Sequence, residues 1–473
     1  MRNAEGFPQA AFFRVPHSAL RVLIGPPPHI VGYEAQLPRA LICRLHSRTA
    51  HALIRAPVEK TPAQKRSRAT LGLVFLTLFI DMIGFGIVIP VLPLYAKGTA
   101  SGSLIHAQDW QLAWIVGIYS LLQVVCSPII GKISDRVGRK PVLAISILGT
   151  AVGFTVLGAA TTVTMLMIGR IIDGISGGNI STAMACIADS TTKEERSRSM
   201  GLVGAAFGLG FVIGPAFGGV LSKFGASVPF YVAACMALGN ALLVMFRLPE
   251  TLTPEARAKA RDKASLGEVF GGGRARTVII ALLSQVAGVT GFSVMTAIFA
   301  IYCHERYGYG ADQVGYVLAF VGILGALMQG GVVRRLLKRP IEKPLAIIGT
   351  ALIAISMAGL SFLPAQSGIG LLLLVCAGIS IGNSLSTPTL NGLASRAVDA
   401  HAQGRLMGMM QSAGGLGRFL GPMLGYSLVK YDGARDYGHA AFLASAALLA
   451  LDTVLLFFIH APAHSPEETP AEQ

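Results

Sequence analysis

From residue 70 onward the chain alternates long apolar runs with short polar breaks. Residues 112–131, 141–169 and 345–395 carry no ionised side chain, and roughly 20 apolar residues are enough to cross a bilayer as a helix. The pattern predicts helices over 70–95, 111–131, 141–160, 163–188, 199–222 and 229–247, then over 277–303, 313–333, 345–363, 369–394, 405–429 and 439–460. Pro364 and Gly368 divide the run 345–395 into two spans. The predicted fold is all-α and integral to the membrane: twelve transmembrane helices in two pseudo-symmetric six-helix bundles, 69–248 and 277–460. A charged segment, 249–276, joins the bundles; a basic tail, 1–68, precedes them and a short tail, 461–473, follows.

Charge sharpens this picture. The 473 residues are 53% hydrophobic and 13% charged, with a mean hydropathy of +0.61, which excludes a set of soluble domains. The net charge of +15 resembles that of a nucleic-acid binder until it is located. Residues 1–68 hold eleven bases and three acids, so more than half of the excess is in the tail. Nucleic acid is not implied. Three readings of that tail are open: a disordered cytoplasmic segment, an organelle-targeting segment, or translated sequence upstream of the true start. Twenty bases fall in the breaks on one proposed side, against Lys97, Lys223, Arg306, Lys430 and Arg435 on the other. The positive-inside bias places both termini in the cytoplasm of a multi-pass protein of the plasma or inner membrane. Six dispersed cysteines and the lack of any Cys-x-x-Cys or His–Cys cluster give no metal site and no cofactor. No nucleophile–base constellation or P-loop suggests an enzyme.

The halves repeat. An offset of 207 residues pairs Arg198 with Arg405, Gly210 with Gly417, Gly214-Pro215 with Gly421-Pro422, and Gly218 with Gly425. An offset of 199 lays Gly330, Arg335 and Pro340 over Gly131, Arg136 and Pro141, with Arg334 where the first copy has Asp135. Repeated six-helix halves are how one class of transporters builds two bundles around a midplane site.

Four stretches carry candidate chemistry. The break after the second span reads Gly131-Lys-Ile-Ser-Asp135-Arg136-Val-Gly138-Arg139-Lys140, a turn with one acid among four bases. The first span carries Asp81, followed by Gly84, Gly86, Pro90 and Pro93. A carboxylate inside a span costs a few kcal/mol and should face a cavity or a partner; it either carries protons or bonds a neighbouring helix. In the fourth span Arg170 and Asp173 stand three apart on one face and can pair, either to hold the helix or to tune a proton-carrying acid. In the fifth span Gly210, Gly214 and Gly218 form a stripe that lets another backbone approach closely. Gln123, Asn179, Gln285, Asn383 and Gln411, with Phe292 and Tyr302, are candidates to line a cavity. Arg418, in the middle of the eleventh span, needs an anion, a carboxylate or carbonyls, and Asp452 of the twelfth could pair with it or snorkel. Arg418 looks awkward in a tight seam, so the fifth helix is expected to make the close, dry contact and the eleventh to line wetter space.

These patterns resemble the major facilitator superfamily. Gly131, Asp135, Arg136, Gly138, Arg139 and Lys140 are similar to its loop between helices 2 and 3, which the resemblance assigns to gating. Asp81 and its glycines and prolines resemble helix 1 of the drug:proton antiporters, the tetracycline-efflux branch among them. Arg170 falls on a helix-4 motif assigned to proton transfer, which puts Asp81, Arg170 and Asp173 together as the coupling set. Gly210, Gly214, Pro215 and Gly218 resemble the antiporter motif thought to seal a leak. The resemblance covers 70–460 and implies proton-coupled efflux of small amphipathic compounds by a monomer. A carrier for uptake or exchange of a small metabolite, with Arg418 anchoring an anion, is the alternative. The chain departs from the tetracycline branch at Thr150–Phe154 and at 349–359, where that branch has acids, which speaks against tetracycline as cargo.

Overall fold

The structure is a computed structural model. It describes residues 62–459 except 101, 192, 253–266, 271–274, 337–340, 365–366, 399–401 and 434–435. The tail readings for 1–61, most of the joining segment and the end from 460 lie outside the described residues.

Twelve spans follow in order: α1 (Pro62–Lys97), α2 (Asp109–Val137), α3 (Arg139–Gly158), α4 (Val163–Ser176 with Asn179–Asp189), α5 (Lys193–Ser222), α6 (Val228–Arg247), α7 (Ala275–Tyr307), α8 (Ala311–Leu327, continued by a π-turn, Met328–Val333), α9 (Glu342–Phe362), α10 (Ile369–Arg396), α11 (Gln403–Val429) and α12 (His439–Phe457). By length and composition eleven of them can cross a bilayer. The twelfth, α11, carries Arg405, Arg418 and a run of glycines, which lower its hydropathy. Side chains such as Ile145, Ile355, Leu374 and Phe246, each at least 68% exposed, make an apolar outer face.

Several boundaries differ from the predicted ones. The 131–140 stretch is mostly helix: α2 continues to Val137, and only Gly138 turns, at φ 128° and ψ 156°, a backbone conformation that strongly favours glycine. Gly131 lies inside α2, and a Cβ there would meet nothing nearer than Ser181 Oγ at 3.8 Å, so close packing does not require it. The charged loop expected over 189–198 becomes helix from Lys193. The fourth span breaks at Gly177–Gly178, and the Gly177 carbonyl accepts from Gln123 Nε2 at 3.0 Å. A break in a span is tolerated when a side chain takes up a freed backbone group in this way.

In the first half α1 packs on α5 and α6, α3 on α4 and α6, and α2 on α4; in the second α7 packs on α11 and α12, and α9 on α10 and α12. Across the boundary α5 meets α8 and α2 meets α11. The core is richest at the end away from the 131–140 turn. There Tyr95 donates to the Ala160 carbonyl at 2.7 Å and Tyr302 to the Leu360 carbonyl at 3.0 Å. These tyrosines, 207 residues apart, join the first to the third helix of their own half. Tyr302 is fully buried, so its expected place on a cavity is corrected to a place in the core.

The expected asymmetry between the fifth and eleventh helices is also corrected. A Cβ on Gly214 would stand 2.7 Å from Gly86 Cα, and one on Gly218 2.8 Å from the Ile87 carbonyl. On α11 a Cβ at Gly417 would stand 2.9 Å from the Val286 carbonyl, and one at Gly421 2.8 Å from the Ser293 carbonyl carbon. Both seams are close, and Arg418 does not wedge the second apart: its guanidinium reaches towards Gln123 of α2.

Candidate transport site between the bundles

At the turn, Arg139 is buried and gathers the neighbouring charges. It donates to Asp135 Oδ1 at 2.6 Å, Asp189 Oδ2 at 3.0 Å and Ser134 Oγ at 2.7 Å, so the ends of α2 and α4 meet at the start of α3. The backbone amides of Arg139 and Lys140 donate to the Glu250 carboxylate at 2.9 and 3.2 Å, as do those of Thr251 and Leu252, each at 3.0 Å. Glu250 therefore caps α3 from the segment after α6, where negative charge at a helix start is favourable. Partial burial works to raise its carboxyl, but these four amides outweigh it and hold the group below its ordinary value. Arg136 is exposed.

Deeper in the first half a second network forms. Arg170 donates through Nε to the Ile115 carbonyl at 3.1 Å and through a terminal nitrogen to Asp173 Oδ2 at 3.0 Å. Its guanidinium lies 4.5 Å from the centre of the Tyr119 ring. Asp173 is buried against α3, where Gly153 leaves room and Thr150 offers its hydroxyl. The small residues standing where the tetracycline branch has an acid thus receive the acid of α4. Gln123 donates to Tyr119 Oη at 3.1 Å and accepts from Arg418 of the other bundle at 3.5 Å. Asp81 is half-buried; Asn179 Nδ2 donates to its carboxylate at 3.0 Å, and among the described residues no cation lies within ion-pair distance of it.

In the second half the candidates are more scattered. Gln285 lies beside Gly414, Phe292 meets Phe211 across the boundary as a tilted ring pair at 6.4 Å, and Gln411 is exposed. Asn383 only accepts from Thr387 on its own helix. Asp452 neither snorkels nor meets Arg418: it is buried against α7, beside the Ser284 hydroxyl and facing Gly288. Three participants escaped the sequence reading. Tyr119 falls four residues before Gln123, on the same helical face, and that spacing was available. Glu250 directly follows Leu248-Pro249 at the end of α6. The pair of Glu342 on α9 with Arg396 on α10 puts opposite charges in the slot that Arg139 and Asp189 fill in the first half.

The two ends of the boundary differ. Away from the turn, α5 and α8 touch at backbone distance, a Cβ on Gly219 standing 2.7 Å from the Ala311 carbonyl, and Lys223 pairs with Asp312 at 3.2 Å. Towards the turn, Gly204, Gly208, Gly330, Gly404 and Gly408 have open space where a Cβ would be.

Residues 74–422 match the sequence profile of the Major Facilitator Superfamily. The chain belongs to that superfamily. Over 389 residues it is 31% identical to the class C tetracycline resistance protein of Escherichia coli, covering 81% of this chain and 95% of that protein. To multidrug resistance protein 1 of Bacillus subtilis it is 29% identical over 416 residues, covering 86% and 100%. The structure of the human organic anion transporter MFSD10 matches with a TM-score of 0.62 and 25% identity, over 84% of this chain and 100% of that one. That of the nucleoside transporter NupG matches with a TM-score of 0.68 at 14% identity, over 82% and 99%, a likeness of fold alone. This facilitator protein therefore groups with the tetracycline- and multidrug-resistance proteins, as its helix 1 and turn motifs imply, in a family of transporters rather than enzymes.

Proposed function

We propose that this protein exports small amphipathic compounds across the cytoplasmic membrane in exchange for protons, as a monomer with both termini and the 131–140 turn in the cytoplasm. One observation carries the reading. Asp81 is an acid within the membrane whose partner is the neutral Asn179, whereas Asp173 is matched by Arg170. A carboxylate without a fixed cation can gain and lose a proton during a cycle, and the charge it gains or loses changes the cost of exposing each face of the bundle. Arg170 and Asp173 then act as a buried pair beside it, and the Arg139 cluster as a latch that holds α2, α3 and α4 together while the bundles rock. The loop charges support the orientation, and the resistance proteins among its relatives support outward transport of drug-like cargo.

The test is Asp81→Asn in proteoliposomes loaded with a lipophilic fluorescent amphipath. The variant should insert and fold, retain exchange without a gradient and lose accumulation driven by a pH gradient. Gradient-driven flux at the wild-type rate in Asp81→Asn would refute the assignment.

A further inference from the structure

Arg418 is a cation with no acid beside it. Its polar contact is Gln123 Oε1, at a long 3.5 Å, and among the described residues no carboxylate lies within ion-pair distance. Arg139, Arg170 and Arg306, by contrast, each face an aspartate. A guanidinium kept in a membrane interior without a counter-charge is costly, and such residues mark ligand paths.

Three helices supply the surroundings of Arg418. Its guanidinium folds back over its own helix: Cβ atoms on Gly414 and Gly415 would each stand 3.6 Å from one of its terminal nitrogens. The Cβ on Gly414 would also stand 3.1 Å from Nε2 of Gln285. Arg418 of α11 and Gln285 of α7 thus border the place that Gly414 leaves without a side chain, while Gly415 makes room for Val124 of α2, whose Cγ2 would collide with a Cβ there. Gln411, on the same helical face as Gly415 and Arg418, is exposed. Phe211 and Phe292, and Trp114 and Phe419, meet as tilted ring pairs at 6.4 and 5.8 Å across the same boundary.

We propose that Arg418, with Gln285 beside it, recognises an anionic group on the cargo, a carboxylate or sulfonate carried by an aromatic body. Two oxygens of such a group match the fork of the guanidinium, and the Gln285 amide supplies a further donor. The bound anion replaces the long contact to Gln123, and with it the polar contact from Arg418 to the opposite bundle. In an inside-negative membrane an anion leaving and a proton entering both move down the electrical gradient. The inference rests on the export reading only in placing the cargo between the bundles.

Three probes of one shape decide it: 2-naphthoxyacetate, the neutral 2-naphthoxyacetamide, and the cation 2-naphthoxyethyl-trimethylammonium. Equilibrium binding to the purified full chain is measured with no pH gradient. Wild type should hold the anion at least about tenfold more tightly than either other probe, as a charge-assisted hydrogen bond predicts. Arg418→Gln should abolish that preference, lowering anion affinity to that of the amide, and Arg418→Lys should keep part of it. The proposal is overturned if wild type binds none of the probes, if it binds the cation or amide as well as the anion, or if Arg418→Gln loses all three alike. The comparison on wild type decides even if the variants fail to fold. Charge preference without gradient-driven transport would sink the export reading alone, and gradient-driven transport of the cation would sink this one alone.

Discussion

Laid over each other at 207 residues, the α1–α5 and α7–α11 seams use the same positions with different occupants. Met82 against Gly210 becomes Val289 against Gly417, Gly86 against Gly214 becomes Ser293 against Gly421, and Ile87 against Gly218 becomes the surroundings of Gly425. In the first seam a Cβ on any of Gly210, Gly214 and Gly218 would meet backbone within 3.0 Å. The second ends on side chains, since the nearest atom to a Cβ on Gly425 is Cγ2 of Ile298 at 3.1 Å. Between the glycines, Phe211 in one copy stands where the other has Arg418. One copy therefore lays an aromatic ring on the boundary and the other a charge, on matching scaffolds. The difference teaches that the seam and the residue beside it vary independently: tightness is set by the face with the glycines, chemistry by the neighbouring face.

The largest effect should come from breaking both seams. Gly214→Leu and Gly421→Leu each drive a side chain into backbone and should cost roughly 1–3 kcal/mol or more, with transport lost in both at matched expression. Full efflux in either would show that its seam can part. Alanine sharpens the comparison further. Gly218→Ala meets the Ile87 carbonyl and should lower the melting temperature, while Gly425→Ala meets a side chain that can shift and should be close to neutral; a reversed order in thermal melts would contradict the geometry.

A smaller effect separates the charged clusters. Arg139→Gln leaves Asp135 and Asp189 without their shared cation and should destabilise by roughly 1–3 kcal/mol, slowing turnover as it does so. Glu342→Gln keeps a hydrogen-bonding side chain at a buried position whose partner Arg396, 39% exposed, still reaches water, and should cost about 1 kcal/mol or less. Melting curves and initial rates of both variants test this ranking, and an equal or larger loss for Glu342→Gln breaks it.

The fold was legible because a bilayer admits few solutions: apolar runs of spanning length, loop charge and the 207-residue offset suffice for twelve helices in two halves. The turn at Gly138, the Arg170–Asp173 pair and the α5 stripe were legible as well, being local in sequence. Partners distant in the chain were not. Gln123 is no more conspicuous than any other amide until α11 brings Arg418 to it. Asp452 reads as a mate for that arginine until packing turns it to α7. The supposed wetness of α11 came from assuming that a large side chain on a glycine helix must point into the seam, when the helical period directs it past.

The smallest effect concerns the α3 cap. Since the folded Glu250 carboxyl lies below its ordinary 4.5, its contribution is complete above that pH and is lost as the pH falls through the folded value. Glu250→Gln should therefore melt slightly earlier than wild type at neutral pH, by a few tenths of a kcal/mol for so exposed a group. The gap should close as the medium is acidified below 4.5. A gap that persists or widens in acid would show that the amides do not depend on the charge.

Tyr119 has two neighbours with different obligations. Arg170 lies over its ring and belongs to a closed ion pair, while Gln123 bonds its hydroxyl and also touches Arg418 at the boundary. An event that pulls Gln123 away at one end is felt at the other through a single rigid ring. Whatever free energy this ring transmits obeys reciprocity. If occupancy beside Arg418 alters proton affinity in the first bundle by some factor, protonation there alters affinity beside Arg418 by the same factor. The two titrations are then one quantity measured from opposite ends.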